Sequence, residues 1–154
     1  MLSDYITPGD IKLNLESTEK EEAFAELTEV LVKSSPSLNR SLFMEALIER
    51  ENKRTTAVFP RVAVPHAVCE GIKENHIALG ISRAGIEFDP QESIDLVNPV
   101  VNVIFLIAFE KENMDSHLNL LRDILFLVSK PKFYERLLKL NTQQEIFDLL
   151  LELE

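Results

Sequence analysis

The residues best placed for chemistry begin with a histidine that follows a short apolar run. Val62, Ala63 and Val64 form a run too short and too β-branched for a helix, which predicts a buried strand. Pro65 cannot donate a hydrogen bond to a sheet, so the strand should end there, with His66 just beyond it. Imidazole is a nucleophile near neutral pH, and α/β sheets carry their chemistry at strand ends. The alternative is a histidine that only packs or forms a hydrogen bond there.

A second histidine, His117, follows the most apolar stretch of the chain, residues 100–109. That stretch predicts a central strand buried on both faces. An acidic loop over residues 110–115 should lead into a helix that begins at His117 and is capped by Asp115 or Ser116. Because a helix N-terminus disfavours imidazolium, His117 should be neutral and able to donate a hydrogen bond. The alternative is an ordinary polar residue in a first helical turn.

Arg50 is a cation that could meet an anion. It lies in a helix predicted for residues 39–52, where it continues the apolar stripe of Phe43, Ala46 and Leu47. Its guanidinium would then point towards an anion on the core side. The alternative is a cation favoured at a helix C-terminus, whose stem covers apolar surface.

Cys69 is another candidate for chemistry. It lies three residues after His66, and a histidine–cysteine pair can bind a metal or form a catalytic dyad. The sequence contains no second cluster of ligands, so we expect no metal and no cofactor, and we interpret Cys69 as a small buried hydrophobe. As the only cysteine it can form no internal disulfide, which fits a reducing compartment.

Composition excludes several classes of protein. A length of 154 residues with 45% hydrophobic content suits a single domain over residues 1–154. The formal net charge of -10 argues against nucleic acid or an anionic membrane as partner, and it allows a basic protein. Only four glycines are present, and no glycine-rich phosphate loop occurs. The sequence shows neither a signal peptide nor an apolar stretch long enough for membrane insertion, so we expect a cytoplasmic protein.

The elements that must position these residues alternate between strands and helices. The first part of the chain predicts a half-buried strand over residues 11–15, a helix begun by a Thr18–Glu21 capping box and ending near Lys33, and the helix that carries Arg50. After the strand that precedes His66, we predict a strand over residues 75–82, a turn at Gly85, a short edge strand over residues 86–88 and a polar loop over residues 89–98.

The last third of the chain is predicted to be helical. The helix that begins at His117 should bury one set of apolar residues: Leu118, Leu121, Ile124, Leu125 and Val128. A short helix over residues 132–140 and a final helix, begun by a Thr142–Glu145 capping box and ending near Leu151, complete the chain. This order of elements predicts an α/β fold, a single domain whose mixed β-sheet is flanked by helices on both faces.

Three stretches of this sequence resemble, in order, the type-2 IIA (EIIA) domains of the bacterial phosphoenolpyruvate-dependent sugar phosphotransferase system. They are Ile48-Glu49-Arg50-Glu51, Val62-Ala63-Val64-Pro65-His66-Ala67 and His117-Leu118. Fructose, mannitol and nitrogen-related IIA proteins form this family, and the resemblance extends over residues 11–151. It implies that His66 accepts a phosphoryl group from phosphohistidine on the carrier HPr and passes it to a cysteine or histidine of a IIB partner.

The resemblance also implies roles for the other two residues. Transfer between two imidazoles needs positioning and charge stabilisation more than covalent machinery. His66 would be the nucleophile, His117 would donate a hydrogen bond to a phosphoryl oxygen, and Arg50 would pair with that oxygen. HPr should dock over this site through an apolar patch with an acidic rim.

Two features depart from the family pattern. Many members approach the histidine through a glycine-rich stretch, whereas residues 56–61 contain no glycine and Pro60 removes a backbone donor. The basic residue often found shortly after the histidine is also missing, and Arg61 is a candidate to replace it as a phosphate contact. Two functions therefore remain open: an active phosphocarrier in sugar uptake or nitrogen regulation, and a regulatory protein-interaction module with the same fold and weak or no phosphotransfer.

Overall fold

A computed structural model describes residues 1–88 and 100–154 of the chain. The strands of this part are β1 (Ile11–Lys12), β2 (Val62–Ala63), β3 (His66–Val68), β4 (His76–Glu87) and β5 (Val100–Phe109). The α-helices are α1 (Lys20–Ser34), α2 (Arg40–Lys53), α3 (Met114–Val128), α4 (Phe133–Leu138) and α5 (Gln143–Leu153). Two short 3₁₀ helices, Leu2–Asp4 and Pro8–Asp10, precede β1. In these ranges no helix has both the length and the apolarity that a bilayer span requires.

The sheet is mixed and is built around β5. Its order is β1–β4–β5–β2, and β3 pairs with the same edge of β5 as β2 does. β4 runs antiparallel to β5, whereas the other pairs are parallel. Nine of the ten residues of β5 are buried, which confirms the predicted central strand.

Helices cover both faces of the sheet, as predicted. Apolar residues of α1 and α2, such as Phe24 and Phe43, share a core with one set of alternating sheet residues. Ile124 of α3 and Ile146 of α5 pack into a second core with the other set. The chain is therefore an α/β domain with one hydrophobic core on each face of its sheet.

The first and last helices differ in how well their starts could be predicted. The Thr18–Glu21 capping box is wrong, because α1 has Glu19 at its N-cap and no side-chain cap. The chain before α1 is instead held by Glu26, whose carboxylate accepts hydrogen bonds from the backbone and hydroxyl of Ser17. The predicted helix start at Thr142 is confirmed, since its side chain accepts a hydrogen bond from the Glu145 amide at 3.1 Å. The Glu145 carboxylate, however, accepts from the Asn141 amide and the Thr142 hydroxyl, so the box is not closed.

The strand predicted for residues 75–82 and the edge strand predicted for residues 86–88 are one element, β4. The register shifts between Ile81 and Ile86, so a bulge stands where a turn was expected. Gly85 has a φ of 90°, and a Cβ there would lie 2.4 Å from the Val100 side chain, so the bulge favours glycine. The polar loop predicted for residues 89–98 lies outside the described residues.

Helix α3 begins earlier than predicted, and its buried face is shifted: burial of Ile124 and Val128 is confirmed, whereas the other predicted positions are not the buried ones. Asn113, not Asp115 or Ser116, is its N-cap, and the Asn113 side chain accepts a hydrogen bond from the Ser116 amide. Its buried residues are His117, Leu120, Ile124, Leu127 and Val128. Leu118 and Leu125, predicted to be buried, are 68% and 38% exposed. The helix is therefore rotated relative to the prediction, which places His117 in the interior and leaves leucines at the surface.

Candidate active site

His66 lies at a break in an edge strand. β2 ends at Ala63, and the missing N–H of Pro65 interrupts the pairing with β5. The carbonyl of Pro65 still accepts a hydrogen bond from the Ile107 amide, so the chain stays alongside β5. Pairing resumes at His66, which opens β3 opposite Ile107. The prediction that His66 lies beyond the end of its strand is therefore corrected: the residue begins a second short strand.

The His66 ring is fixed in one orientation. Its Nδ1 lies 2.8 Å from the carbonyl oxygen of Val64, and because a carbonyl can only accept, Nδ1–H must be the donor. In the neutral ring Nε2 then carries the lone pair. An edge contact with Phe109, with ring centroids 5.5 Å apart, holds the ring from another side.

Burial keeps His66 in its nucleophilic form. Desolvation of the half-buried ring is the largest cause that lowers the pKa of His66 below its ordinary value of 6.5. The hydrogen bond to the Val64 carbonyl raises the pKa, and the positive charge of Arg50 lowers it further. A neutral ring with a free Nε2 at neutral pH is the state that a nucleophilic histidine requires.

We expect this pKa to be visible in solution. The His66 ring should titrate with a midpoint below 6.5, measured from ¹⁵N ring shifts of the labelled protein. Between the folded midpoint and 6.5 unfolding takes up a proton, so the free energy of unfolding should fall as the pH drops through that window. A His66→Asn variant should lose that part of the pH dependence. A midpoint at or above 6.5 would contradict the burial of the ring.

His66 and Arg50 line one cleft of about 160 Å³. Its other lining residues are Thr56, Val58, Val64, Leu121 and Leu125. Arg50 is half-buried in the last turn of α2, and its Nη1 donates a hydrogen bond to the carbonyl oxygen of Arg54 at 2.7 Å. The structure thus brings together a neutral imidazole and a guanidinium in a largely apolar cleft. An anion bound there would meet a cation in surroundings that strengthen the attraction.

His117 lies beside this cleft, and it is not among the described residues that line it. Its ring is buried and stacks on Phe109, with centroids 4.2 Å apart, so Phe109 contacts both histidines. Its Nε2 donates a hydrogen bond to the carbonyl oxygen of Glu110 at 2.6 Å. The neutral ring therefore has no N–H left for a phosphoryl oxygen. Only the imidazolium form could donate from Nδ1.

Glu110 is a buried carboxylate that was missed in the sequence. Burial alone would raise its pKa, but hydrogen bonds from the backbone amides of Glu112 and Asn113, together with His117, hold the pKa below the ordinary value. Its Oε1 lies 3.5 Å from Nε2 of His117. In the sequence, Glu110 could have been found from its position directly after β5 and just before a helix N-terminus, which a carboxylate can cap.

Glu51 is the second carboxylate that was missed. The buried residues of α2 are Phe43, Leu47 and Glu51, so Glu51 and not Arg50 continues the buried stripe. The Glu51 side chain accepts hydrogen bonds from Thr55 and Thr56 in the turn after the helix. The signal was its spacing of four residues from Leu47, which places both on one face.

Arg61 does not line this cleft. It has a left-handed backbone, with a φ of 66°, and its Nη1 donates to Asn102 at 3.0 Å and to the Tyr134 hydroxyl at 3.4 Å. Its guanidinium also lies 5.1 Å from the centre of the Tyr134 ring. Arg61 therefore joins the start of β5 to α4, and it does not replace the missing phosphate contact.

Cys69 is separated from His66 by the sheet. It is buried in the core that α1 and α2 form, whereas Val64 and Ile107, which flank His66, belong to the opposite core. Desolvation raises the pKa of its thiol, which disfavours the thiolate. A His66–Cys69 dyad is therefore not formed. Within residues 1–88 and 100–154, no three potential metal-ligating side chains come together.

Comparison with known proteins gives consistent matches. The family described as phosphoenolpyruvate-dependent sugar phosphotransferase system, EIIA 2, matches residues 4–153. The fructose-specific EIIABC component of Bacillus subtilis is 29% identical over 149 residues, which are 97% of this chain and 23% of that protein. The chain therefore spans about a quarter of the length of this relative.

Solved structures share the fold. The nitrogen regulatory protein IIA-Ntr of Neisseria meningitidis superposes with a TM-score of 0.85 at 24% identity, over 97% of this chain and 98% of that one. Enzyme IIA-Mtl of Escherichia coli, solved in complex with phosphorylated enzyme IIB-Mtl, superposes with a TM-score of 0.78 at 19% identity, over 96% and 97% of the two chains. At these identities the likeness supports the fold alone.

Proposed function

Because the chain belongs to the EIIA 2 family of the phosphoenolpyruvate-dependent sugar phosphotransferase system, we propose that it is a phosphocarrier. It accepts a phosphoryl group from phosphohistidine on HPr and passes it to a IIB partner. The observation that carries this proposal is the free Nε2 of a neutral, oriented His66 in a cleft that also contains Arg50. Residues 1–154 would act as one domain in the cytoplasm.

The chemistry is a displacement between two imidazoles. The Nε2 lone pair of His66 forms the new N–P bond, and the N–P bond of the donor breaks with its electron pair returning to the donor ring. Positive charge develops on the His66 ring, and the Val64 carbonyl stabilises it through Nδ1–H. Arg50 neutralises charge on the phosphoryl oxygens. The same steps in reverse deliver the group to the IIB partner.

His117 is proposed to stabilise the phosphoryl group through Nδ1. Its Nε2 is occupied by the Glu110 carbonyl, so a hydrogen bond to phosphoryl oxygen requires a proton on Nδ1. The Glu110 carboxylate, whose Oε1 lies 3.5 Å from Nε2, places a negative charge beside the ring. With both ring nitrogens protonated, His117 would carry a positive charge while it holds the phosphoryl group.

Partners are proposed to dock on apolar side chains around the cleft. We define the docking patch as Val58, Leu118, Leu121 and Leu125. Val58, Leu121 and Leu125 line the cleft. Leu118 lies one helical turn before Leu121 on α3 and is 68% exposed. Exposed Glu112 and Asp115 lie just before and in the first turn of α3, the helix that carries the three leucines, so a partner with an apolar face and a basic rim fits this surface.

We expect Leu118→Asp to slow phosphorylation by HPr about tenfold or more, because it places a charge in the apolar contact. The matched control is Leu151→Asp, which changes a leucine of α5 that is 46% exposed and lies outside the docking patch. Rates measured with limiting HPr should also fall as salt rises, since screening weakens steering between oppositely charged surfaces. Equal effects of the two substitutions would contradict docking of HPr on this patch.

The function itself is tested by incubating the protein with phosphoenolpyruvate, enzyme I and HPr. Intact mass under alkaline conditions, which preserve phosphohistidine, should show one added phosphoryl group that a IIB domain then removes. The name of one structural relative points to a second candidate, a nitrogen-type regulatory module that binds partners with weak or no phosphotransfer. Absence of uptake from an HPr that phosphorylates another IIA protein would favour that candidate.

A further inference from the structure

The buried carboxylate of Glu51 lies behind the cleft and is not among the described residues that line it. Glu51 is 5% exposed, and burial raises the pKa of its carboxyl group. Its oxygens accept hydrogen bonds from the Thr56 amide at 2.9 and 3.2 Å, the Thr56 hydroxyl at 3.1 Å and the Thr55 hydroxyl at 3.4 Å. A buried carboxylate costs stability unless donors converge on it, and here they come from one short turn.

That turn orients the imidazole of the cleft. The carbonyl of Thr56 accepts a hydrogen bond from the Val64 amide at 3.0 Å. The carbonyl of the same Val64 accepts from Nδ1 of His66 at 2.8 Å. A continuous path of hydrogen bonds therefore runs from the Glu51 carboxylate to the ring that carries the free Nε2.

The same turn holds the cation of the cleft. Nη1 of Arg50 donates to the carbonyl of Arg54, the residue that opens the turn. Thr56 also lines the cleft, and its hydroxyl donates a hydrogen bond to Glu51. One carboxylate thus fixes the segment from which both Arg50 and His66 take their orientation.

We propose that Glu51 is a positioning residue for phosphoryl transfer, acting through the turn over residues 54–56 on both His66 and Arg50. This inference rests on the proposed phosphocarrier function. Phosphoryl transfer depends on alignment more than on covalent machinery, so a displaced turn lowers the rate without removing the nucleophile.

The test compares Glu51→Gln with Glu45→Gln, an exposed residue of the same helix that undergoes the same change of charge. Glutamine presents an NH₂ group where the Thr56 amide needs an acceptor, so the paired hydrogen bonds cannot both survive. We expect Glu51→Gln to accept the phosphoryl group roughly tenfold more slowly from HPr, or worse, while Glu45→Gln equals wild type. Loss of the Glu51 negative charge near the phosphoryl anion would by itself raise the rate of acceptance.

The second readout does not require transfer. In ¹⁵N spectra of the unphosphorylated protein, wild-type His66 should show the Nδ1–H tautomer, and Glu51→Gln should show a larger share of the Nε2–H tautomer. If Glu51→Gln fails to fold, Glu51→Asp, which keeps the charge and shortens the reach, is judged by the same two readouts. A wild-type rate together with a wild-type tautomer in the folded variant overturns the inference. Absence of phosphorylation in wild type refutes the carrier function, and the tautomer then decides the positioning role alone.

Discussion

His66→Ala is expected to take up no phosphoryl group from phospho-HPr, whereas His117→Ala still takes up one. The first substitution removes the Nε2 lone pair that forms the new N–P bond. The second leaves that nucleophile in place and removes a stabilising group, so we expect a loss of about 10²-fold in rate, as for the removal of one preorganised donor. Intact mass under alkaline conditions, followed over time, separates abolished from slowed uptake.

The two substitutions control for each other, because each removes an imidazole that contacts the same Phe109 ring. Circular dichroism and thermal unfolding should show both variants folded at the temperature of the assay. Labelling of His66→Ala would mean that another residue accepts the group. Complete loss in both variants would contradict the expectation that His117 only stabilises the phosphoryl group, because the nucleophile at His66 would still be present in His117→Ala.

Arg50→Gln is expected to lower the rate of phosphoryl acceptance by about 10²- to 10³-fold. The guanidinium is the positive charge among the described residues that line the cleft, and the largely apolar surroundings make that charge effective. Arg50→Lys should recover only part of the rate, since lysine keeps the charge but lacks the planar fork that binds two oxygens. Single-turnover transfer from phospho-HPr measures both variants.

The matched control for this prediction is Arg40→Gln on the same helix. Arg40 pairs with Glu29 at 2.6 Å, and both side chains are 57% exposed, so its loss should have little effect. A rate for Arg50→Gln within about twofold of Arg40→Gln would contradict a role for Arg50 in charge stabilisation, because even one lost donor costs more than that.

The parts of the site that could be predicted from sequence depend on local patterns. The run from Val62 to Pro65 determines a short edge segment, because proline has no N–H to continue the pairing. Arg50 could be located by counting turns of a helix whose start, Asn39, is a strong N-cap. Residues 100–109 could be recognised as the central strand because a nearly continuous apolar run, interrupted only at Asn102, suits burial on both faces.

The parts that could not be predicted depend on packing between elements. Helix α3 has apolar residues on two adjacent faces, so spacing alone could not decide whether Leu118 or His117 faces inward. The Phe109 ring decides it, because it offers His117 a stacking partner at the end of β5. Glu51 and Glu110 were missed because a buried carboxylate is explained only by donors that the fold brings to it.

The phosphoryl group of the phosphorylated protein can be assigned to a single ring nitrogen. Protein with ¹⁵N-labelled histidine is phosphorylated through enzyme I and HPr, and long-range ¹H–¹⁵N correlation spectra of the three imidazole rings are recorded before and after. We predict that Nε2 of His66 moves to the shift of a phosphorylated nitrogen while its Nδ1 remains protonated against Val64. Phosphorylation at Nδ1 of His66, at His76 or at His117 would contradict phosphoryl transfer through Nε2 of His66.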